Sequence, residues 1–110
     1  MGAADLVSIY VGKSAALERA IESARLARRL GMDVVIGANG EMGIGAAAQL
    51  HVACSCEHLS EIPHGIIGHH FYEEDISLAV PLEIDGVLAR LPDGPGLGVE
   101  PSDAVRRSFA

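Results

Sequence analysis

Between His51 and His70 the chain gathers seven side chains of metal-ligand type: His51, Cys54, Cys56, His58, His64, His69 and His70. A structural zinc site pairs cysteines with two to four residues between them and adds a second ligand pair at a set distance. Here a single residue separates Cys54 from Cys56, and His51 and Cys54 fall on a helical stretch with apolar neighbours. The pattern therefore argues against zinc. A relaxed disulfide between such close neighbours is difficult, so the thiols read as buried and reduced.

A second group is glycine-rich. In Asp33 to Ala53, DVVIGANGEMGIGAAAQLHVA, a β-branched run enters a glycine-studded turn and an alanine-rich helix follows. That is the outline of a phosphate-cradling loop. A dinucleotide fingerprint needs G-x-G-x-x-G, and no three of Gly31, Gly37, Gly40, Gly43 and Gly45 give that spacing. A Walker loop needs Gly-Lys-Ser/Thr, but Ala46 to Ala48 follow Gly45, and Gly12-Lys13-Ser14 lacks its leading glycine because position 7 is Val. Glu41 would also repel a phosphate. A carboxylate among glycines after a buried parallel strand fits better at the rim of an eight-stranded α/β barrel, where loops at the carboxyl ends of strands line the site.

The elements that must position these groups alternate. Leu6 to Val11 is apolar on both alternations, as in a strand covered on both faces. Ser14 is a candidate N-cap, and Leu17, Ile21, Ala24, Ala27 and Leu30 then recur at helical spacing until Gly31 supplies a C-cap. Val34 to Ile36 makes a second buried strand, joined by the short loop of a βαβ unit. A second helix spans about Ile44 to Ala53, and a third strand is expected around Leu59 to Ile62. After Pro63 the pattern loses its period. Short strands with turns at Asp85-Gly86 and Asp93 to Gly96 follow, and a last helical turn opens at Ser102 or Asp103.

The whole chain limits the function classes. Its 110 residues make one small domain or part of a larger one, able to bury roughly two-thirds of the unfolded surface. Hydrophobic residues at 49% exclude disorder, and a net charge of −7 argues against nucleic acid as a partner. The basic residues between Lys13 and Arg29 alternate with Glu18 and Glu22 as on a solvated helix face. Charges or glycines interrupt every apolar run, so no membrane span is expected. The start, MGAADLVSIYVGK, lacks the basic and apolar regions of a secretory signal, and a cytoplasmic location is the expectation.

Three stretches in order, DLVSIYVGKSAAL, GMDVVIGANGEMGIGAAAQLHVA and PLEIDGVLARLPDGPGLGVE, resemble the C-terminal third of the enolase superfamily in its mandelate racemase and muconate-lactonizing branch. The ending LPDGPGLGVE is the most specific element. The resemblance implies an α/β fold made of the C-terminal βα units of a TIM-type (β/α) barrel, the sixth to eighth strands, over residues 1–75. A short β-rich segment of the capping domain would follow over 76–110. It implies a small carboxylate substrate and magnesium in the parent family, a base that removes the proton alpha to the carboxylate, and an enediolate that goes on to epimerisation, cycloisomerisation or dehydration.

Residue by residue, the resemblance puts Tyr10 where members often carry a Lys or Asp, with Lys13 three residues on as the other candidate. Gly37 falls where racemase-like members place a His, so that chemistry is missing from this position. Glu41 matches an acid common in the muconate-lactonizing members, with Asn39 beside it, and Glu61 falls near the end of the eighth strand. Catalytic roles are thus implied for Tyr10, Lys13 and Glu61, and substrate binding for Asn39 and Glu41. The metal ligands of the family belong to the third to fifth strands, so no metal ligand is assigned here and this chain is not expected to bind magnesium or catalyse the reaction alone.

Each residue also has an ordinary structural reading: Tyr10 as a packed strand residue, Lys13 as a rim lysine, Asn39 and Glu41 as helix caps. His69-His70-Phe71-Tyr72 reads as a rim or subunit-contact segment. The expected assembly is a homo-oligomer or association with the rest of a barrel. The rival reading is a non-catalytic module that self-associates or docks on a partner through an open barrel edge, and a histidine-rich zinc site is the third.

Overall fold

A computed structural model of the chain describes residues 2–66, 68, 71–72 and 75–110. Two parallel strands, β1 (Leu6–Tyr10) and β2 (Asp33–Gly37), pair in register from Leu6 opposite Asp33 to Tyr10 opposite Gly37. Helix α1 (Leu17–Arg29) crosses between them, and α2 (Gly43–Cys54) follows β2. A parallel pair needs such a crossover, and the alternation of elements is that of an α/β fold.

One face of the sheet makes the core. Ile9, Val34 and Ile36 are buried there with Ala20, Ala24 and Ala27 of α1 and Val52 of α2. The three alanines recur at helical spacing and let α1 sit close on the strands. Leu17 and Ile21 flank the stripe, as the sequence led us to expect, but Leu30 is exposed. The cause is the helix end. Gly31 has a φ of 81°, its N–H bonds Arg28 O, and the N–H of Met32 bonds Ala27 O. These are the two hydrogen bonds of a Schellman turn, which carries Leu30 off the buried stripe.

The other sheet face carries Leu6, Ser8, Tyr10, Val35 and Gly37. Ser8 is exposed and Leu6, Tyr10 and Val35 are only half-buried, so β1 is not covered on both faces as its apolar pattern suggested. Ser14 differs too: its hydroxyl bonds Tyr10 O and closes the 3₁₀ turn at Val11–Lys13, while Ala16 stands at the start of α1.

No regular strand forms at Leu59–Ile62. The segment does run along the outer edge of β2, where Ser60 N–H bonds Val34 O at 2.8 Å and Gly65 N–H bonds Ile36 O at 2.7 Å. In an even parallel ladder those two carbonyls would meet N–H groups two residues apart. Glu61 to His64 instead bulge outward, and the Nδ1 of His64 accepts the N–H of Ile36 at 3.3 Å in place of a carbonyl.

The remainder is built on turns. Strands β3 (Ile84–Asp85) and β4 (Leu88–Ala89) form a hairpin at the predicted Asp85-Gly86 signal, with Gly86 at a φ of 59°. A left-handed first loop residue matches the twist of paired strands. Helix α3 (Asp103–Ser108) is N-capped by Ser102, whose Oγ accepts from Val105 N–H. The stretch around Leu78 lies antiparallel to Pro101. No helix among the described residues is long and apolar enough to cross a membrane.

Candidate functional site at the carboxyl ends of the paired strands

Tyr10 and Gly37 are register partners and close β1 and β2. A Cβ built on Gly37 would lie 2.8 Å from Tyr10 Cε2 and closer still to Ser8 Oγ. The phenol ring therefore occupies the space of a side chain on β2. The 3₁₀ turn after β1 brings Lys13 back, its Nζ 4.0 Å from the centre of the Tyr10 ring. An ammonium over a ring face is attracted by the ring quadrupole, worth about 0.5–1 kcal/mol at an exposed site.

The loop after β2 supplies the acid. Glu41 Oε2 accepts the backbone N–H of Asn39 at 2.8 Å and the Nε2 of Gln49 at 2.8 Å, and Oε1 accepts Asn39 Nδ2 at 3.2 Å. Burial raises the Glu41 pKa, but hydrogen bonds from its own and the Asn39 backbone and from the Asn39 and Gln49 side chains outweigh it, and the carboxyl lies below its ordinary value. The two loops meet here: a Cβ on Gly12 would stand 3.5 Å from Glu41 Oε1. Thus Tyr10, Lys13, Asn39 and Glu41 converge at one rim.

Glu61 does not join them. It is exposed on the bulge beside the start of β2 and faces a groove shared with the hairpin residues Ile84 and Gly86 to Ala89. The reason is the missing strand: without an even ladder, Gly65 and not Glu61 reaches the end of β2, where its Cβ position lies 3.3 Å from Ala38 N.

Neither Asn39 nor Glu41 caps α2. The N–H of Gly43 bonds Asp75 Oδ2 at 2.7 Å, and the N–H of Ile44 bonds Ser77 Oγ at 3.4 Å. Asp75 Oδ1 in turn accepts Ser77 N–H and Oγ–H. The donors that a phosphate would take at this helix end are held by a carboxylate and a hydroxyl of the same chain, which closes the phosphate-loop reading on geometric grounds. Tyr72 donates its hydroxyl to Gly40 O at 2.9 Å, placing an aromatic pair with Phe71 against the Asn39–Gly40 turn. His69 and His70 of the same segment lie outside the described residues.

The histidines and cysteines scatter. His51 Nε2 donates to Leu97 O at 3.1 Å and ties the Gly96–Gly98 turn to α2. His64 is committed to Ile36 N–H, with its pKa lowered by burial. Cys54 is exposed, and Cys56 is half-buried with its pKa raised by desolvation against the opposing pull of Arg25. Among the described residues no three His, Cys, Asp or Glu side chains converge as a metal ion requires.

Two elements of the rim escaped the sequence reading. Gln49 had a faint signal, a polar residue one helical turn after Gly45 in a helix whose preceding residues are all glycine, alanine or isoleucine. Asp75 had none, because its partner Gly43 is 32 positions away.

The family model for enolase C-terminal domain-like proteins matches residues 1–105. The chain is 37% identical over 110 residues to a chloromuconate cycloisomerase of Cupriavidus pinatubonensis, covering 98% of this chain and 28% of that protein. It is 32% identical over 106 residues to muconate cycloisomerase 1 of Rhodococcus opacus, covering 96% of this chain and again 28% of the relative. Among solved structures, a muconate cycloisomerase from Pseudomonas fluorescens superposes with a TM-score of 0.85 at 27% identity, over 98% of this chain and 29% of that one. An N-succinyl Arg/Lys racemase from Bacillus cereus gives 0.82 at 27% identity, over 96% and 27%. The chain thus spans under a third of the length of the curated relatives it matches.

Proposed function

The chain belongs to the enolase superfamily, in the branch of the muconate cycloisomerases and mandelate racemases, and from that premise we propose that its rim serves a reaction alpha to a carboxylate. In this reading residues 1–75 are the C-terminal βα units of a TIM-type barrel and 76–110 part of a cap. The substrate is a small carboxylate. The parent enzyme would epimerise, cycloisomerise or dehydrate it.

The observation that carries the reading is the convergence of Tyr10, Lys13, Asn39 and Glu41 at the carboxyl ends of two paired parallel strands. That is where α/β sheets and barrels bind ligands. Lys13 and Tyr10 are the proton-handling pair: each carries an ionisable proton, and their contact holds both at the carboxyl end of β1, opposite Gly37. An amine and a phenol are poor proton acceptors in neutral water, so abstraction by either depends on the groups that the assembled site sets around it. Glu41 and Asn39 bind and orient. Glu61 has no part in the convergent set, and the reading does not need it.

Magnesium belongs to the parent family, but the described residues of this chain do not fit a divalent cation, so no step is derived through one. We expect turnover only where the chain is associated with the remainder of a barrel, in a homo-oligomer or a larger polypeptide. The deciding experiment is solvent-deuterium incorporation alpha to the carboxylate of a substrate panel by the native product, compared in Lys13→Met and Tyr10→Phe. Loss of about 10²–10⁴-fold in one variant is expected for a general acid or base. Unchanged exchange in both would overturn the assignment.

A second reading, a self-associating or partner-docking module, draws on the incompletely covered sheet face around Ser8. It predicts a stable dimer by sedimentation that incorporates no deuterium into any carboxylate.

A further inference from the structure

Gln49 is 1% exposed, one of two polar side chains buried in the described core. A buried amide without partners costs roughly 1–3 kcal/mol, so its contacts need an account. Its Nε2 donates to two acceptors, Gly37 O at 3.2 Å and Glu41 Oε2 at 2.8 Å. An amide nitrogen has two hydrogens, and both are spent. One goes to the last residue of β2 and the other to the acid of the rim loop. Gln49 therefore fixes the Glu41 carboxylate to the end of the strand rather than to its own loop alone.

The arrangement also sets how the acid faces the rim. Oε2 receives Asn39 N–H and Gln49 Nε2–H, Oε1 receives Asn39 Nδ2–H, and the backbone N–H of Glu41 itself also bonds the carboxylate. The carboxyl group is thereby held with Oε1 toward Gly12. Gly12 lies beside that oxygen and offers no side chain, since even a Cβ there would be in contact at 3.5 Å. Gly45 completes the fit, because a Cβ on it would lie 2.7 Å from Glu41 Cβ.

We infer that Gln49 is a positioning residue of the rim site: it locks Glu41 so that its carboxylate meets an N–H or O–H group of the substrate beside Gly12. The inference rests on the proposed site and narrows its substrate class. A substrate carboxylate would be repelled by Glu41, so the group received here is a second one, a hydroxyl, amine or amide N–H on the same molecule.

The test needs no substrate. In the wild-type chain, the Glu41 carboxyl carbon and the Gln49 side-chain amide are followed together by NMR through an acid titration. The amide resonances should move with the midpoint of Glu41, and this dependence should vanish in Glu41→Gln. In Gln49→Met, similar in size but without donors, the Glu41 midpoint should rise toward the ordinary glutamate value and its side-chain couplings should average over rotamers, while the Gly43 amide bonded to Asp75 keeps its shift. A folded Gln49→Met with an unchanged Glu41 midpoint and couplings would reduce Gln49 to a core amide and overturn the inference. If that variant does not fold, a wild-type amide that ignores the Glu41 titration overturns it equally. Coupled titration together with undiminished deuterium exchange in Glu41→Gln of the native product would support the positioning and sink the site reading, so the two failures are separable.

Discussion

Residues 6–54 and residues 75–110 are held in place by different physics. In the first region, alternating strands and an alanine-striped helix enclose Val34 and Ile36 completely, and the fold follows from apolar burial. In the second, Val80, Val87, Leu88 and Phe109 are all exposed, the strands are two residues long, and the chain is shaped by left-handed glycines at 86, 94, 96 and 98. It is tied to the first region by Leu78, buried against Gly43 at the start of α2, and by a few polar points: Asp75 and Ser77 on the start of α2, and Leu97 O on His51. The buried half can hold a site rigidly because its strands and α1 enclose a close-packed core. The turn-built half holds its shape locally and meets the first half by hydrogen bonds that single substitutions can cut.

The sharpest break should come from the core. Ile36→Ala, at 0% exposure, is expected to lower unfolding stability by about 2–5 kcal/mol in urea denaturation, the cost of a large-to-small change at a fully buried site. Asp75→Ala should cost less, about 0.5–2 kcal/mol, the range for losing a helix N-cap. Its diagnostic effect is selective: protease cleavage beyond residue 75 should quicken while amides of β1 and β2 keep their protection from hydrogen exchange.

Acid should act in two windows. The folded pKa of His64 is depressed by burial, and its neutral Nδ1 accepts Ile36 N–H. The unfolded chain therefore takes up that proton first, so the contribution is full above the unfolded value of about 6.5 and is lost as pH falls through the folded one. Glu41, also depressed, keeps its contribution above an unfolded value of about 4.3 and loses it as pH falls through its folded one. Hydrogen exchange of the Ile36 and Gly65 amides, corrected for intrinsic rates, should report the first window as protection lost progressively below about pH 6.5. The smallest effect belongs to the exposed hairpin: Val87→Ala, at 96% exposure, should stay within about 0.5 kcal/mol of wild type. A loss comparable to Ile36→Ala would mean that the second region has a core after all.

The two regions were unequally legible in the sequence for the same reason. β1, β2, α1 and α2 were readable because apolar spacing is local information, and the observed ends fall within two residues of those expected. The Asp85-Gly86 turn was readable because glycine geometry is local too. The expected strand at Leu59–Ile62 failed because its pairing is dictated by β2, and a histidine ring stands in for a carbonyl there. At the site, Asn39 and Glu41 stood out as polar groups in a glycine loop. Their alternative role as helix caps was displaced by Asp75, a residue brought near only by the fold.

Gly37 beneath the Tyr10 ring has a consequence for how this rim can change. An imidazole or any other side chain at the end of β2 would need the volume that the phenol and the Ser8 hydroxyl now fill. Positions 10 and 37 are therefore alternatives, and substitutions at them should be strongly non-additive. A mutational path from this rim to one with a base on β2 is easiest when Tyr10 shrinks first. Taken in the reverse order, it passes through an intermediate in which Tyr10 and Ser8 must swing aside.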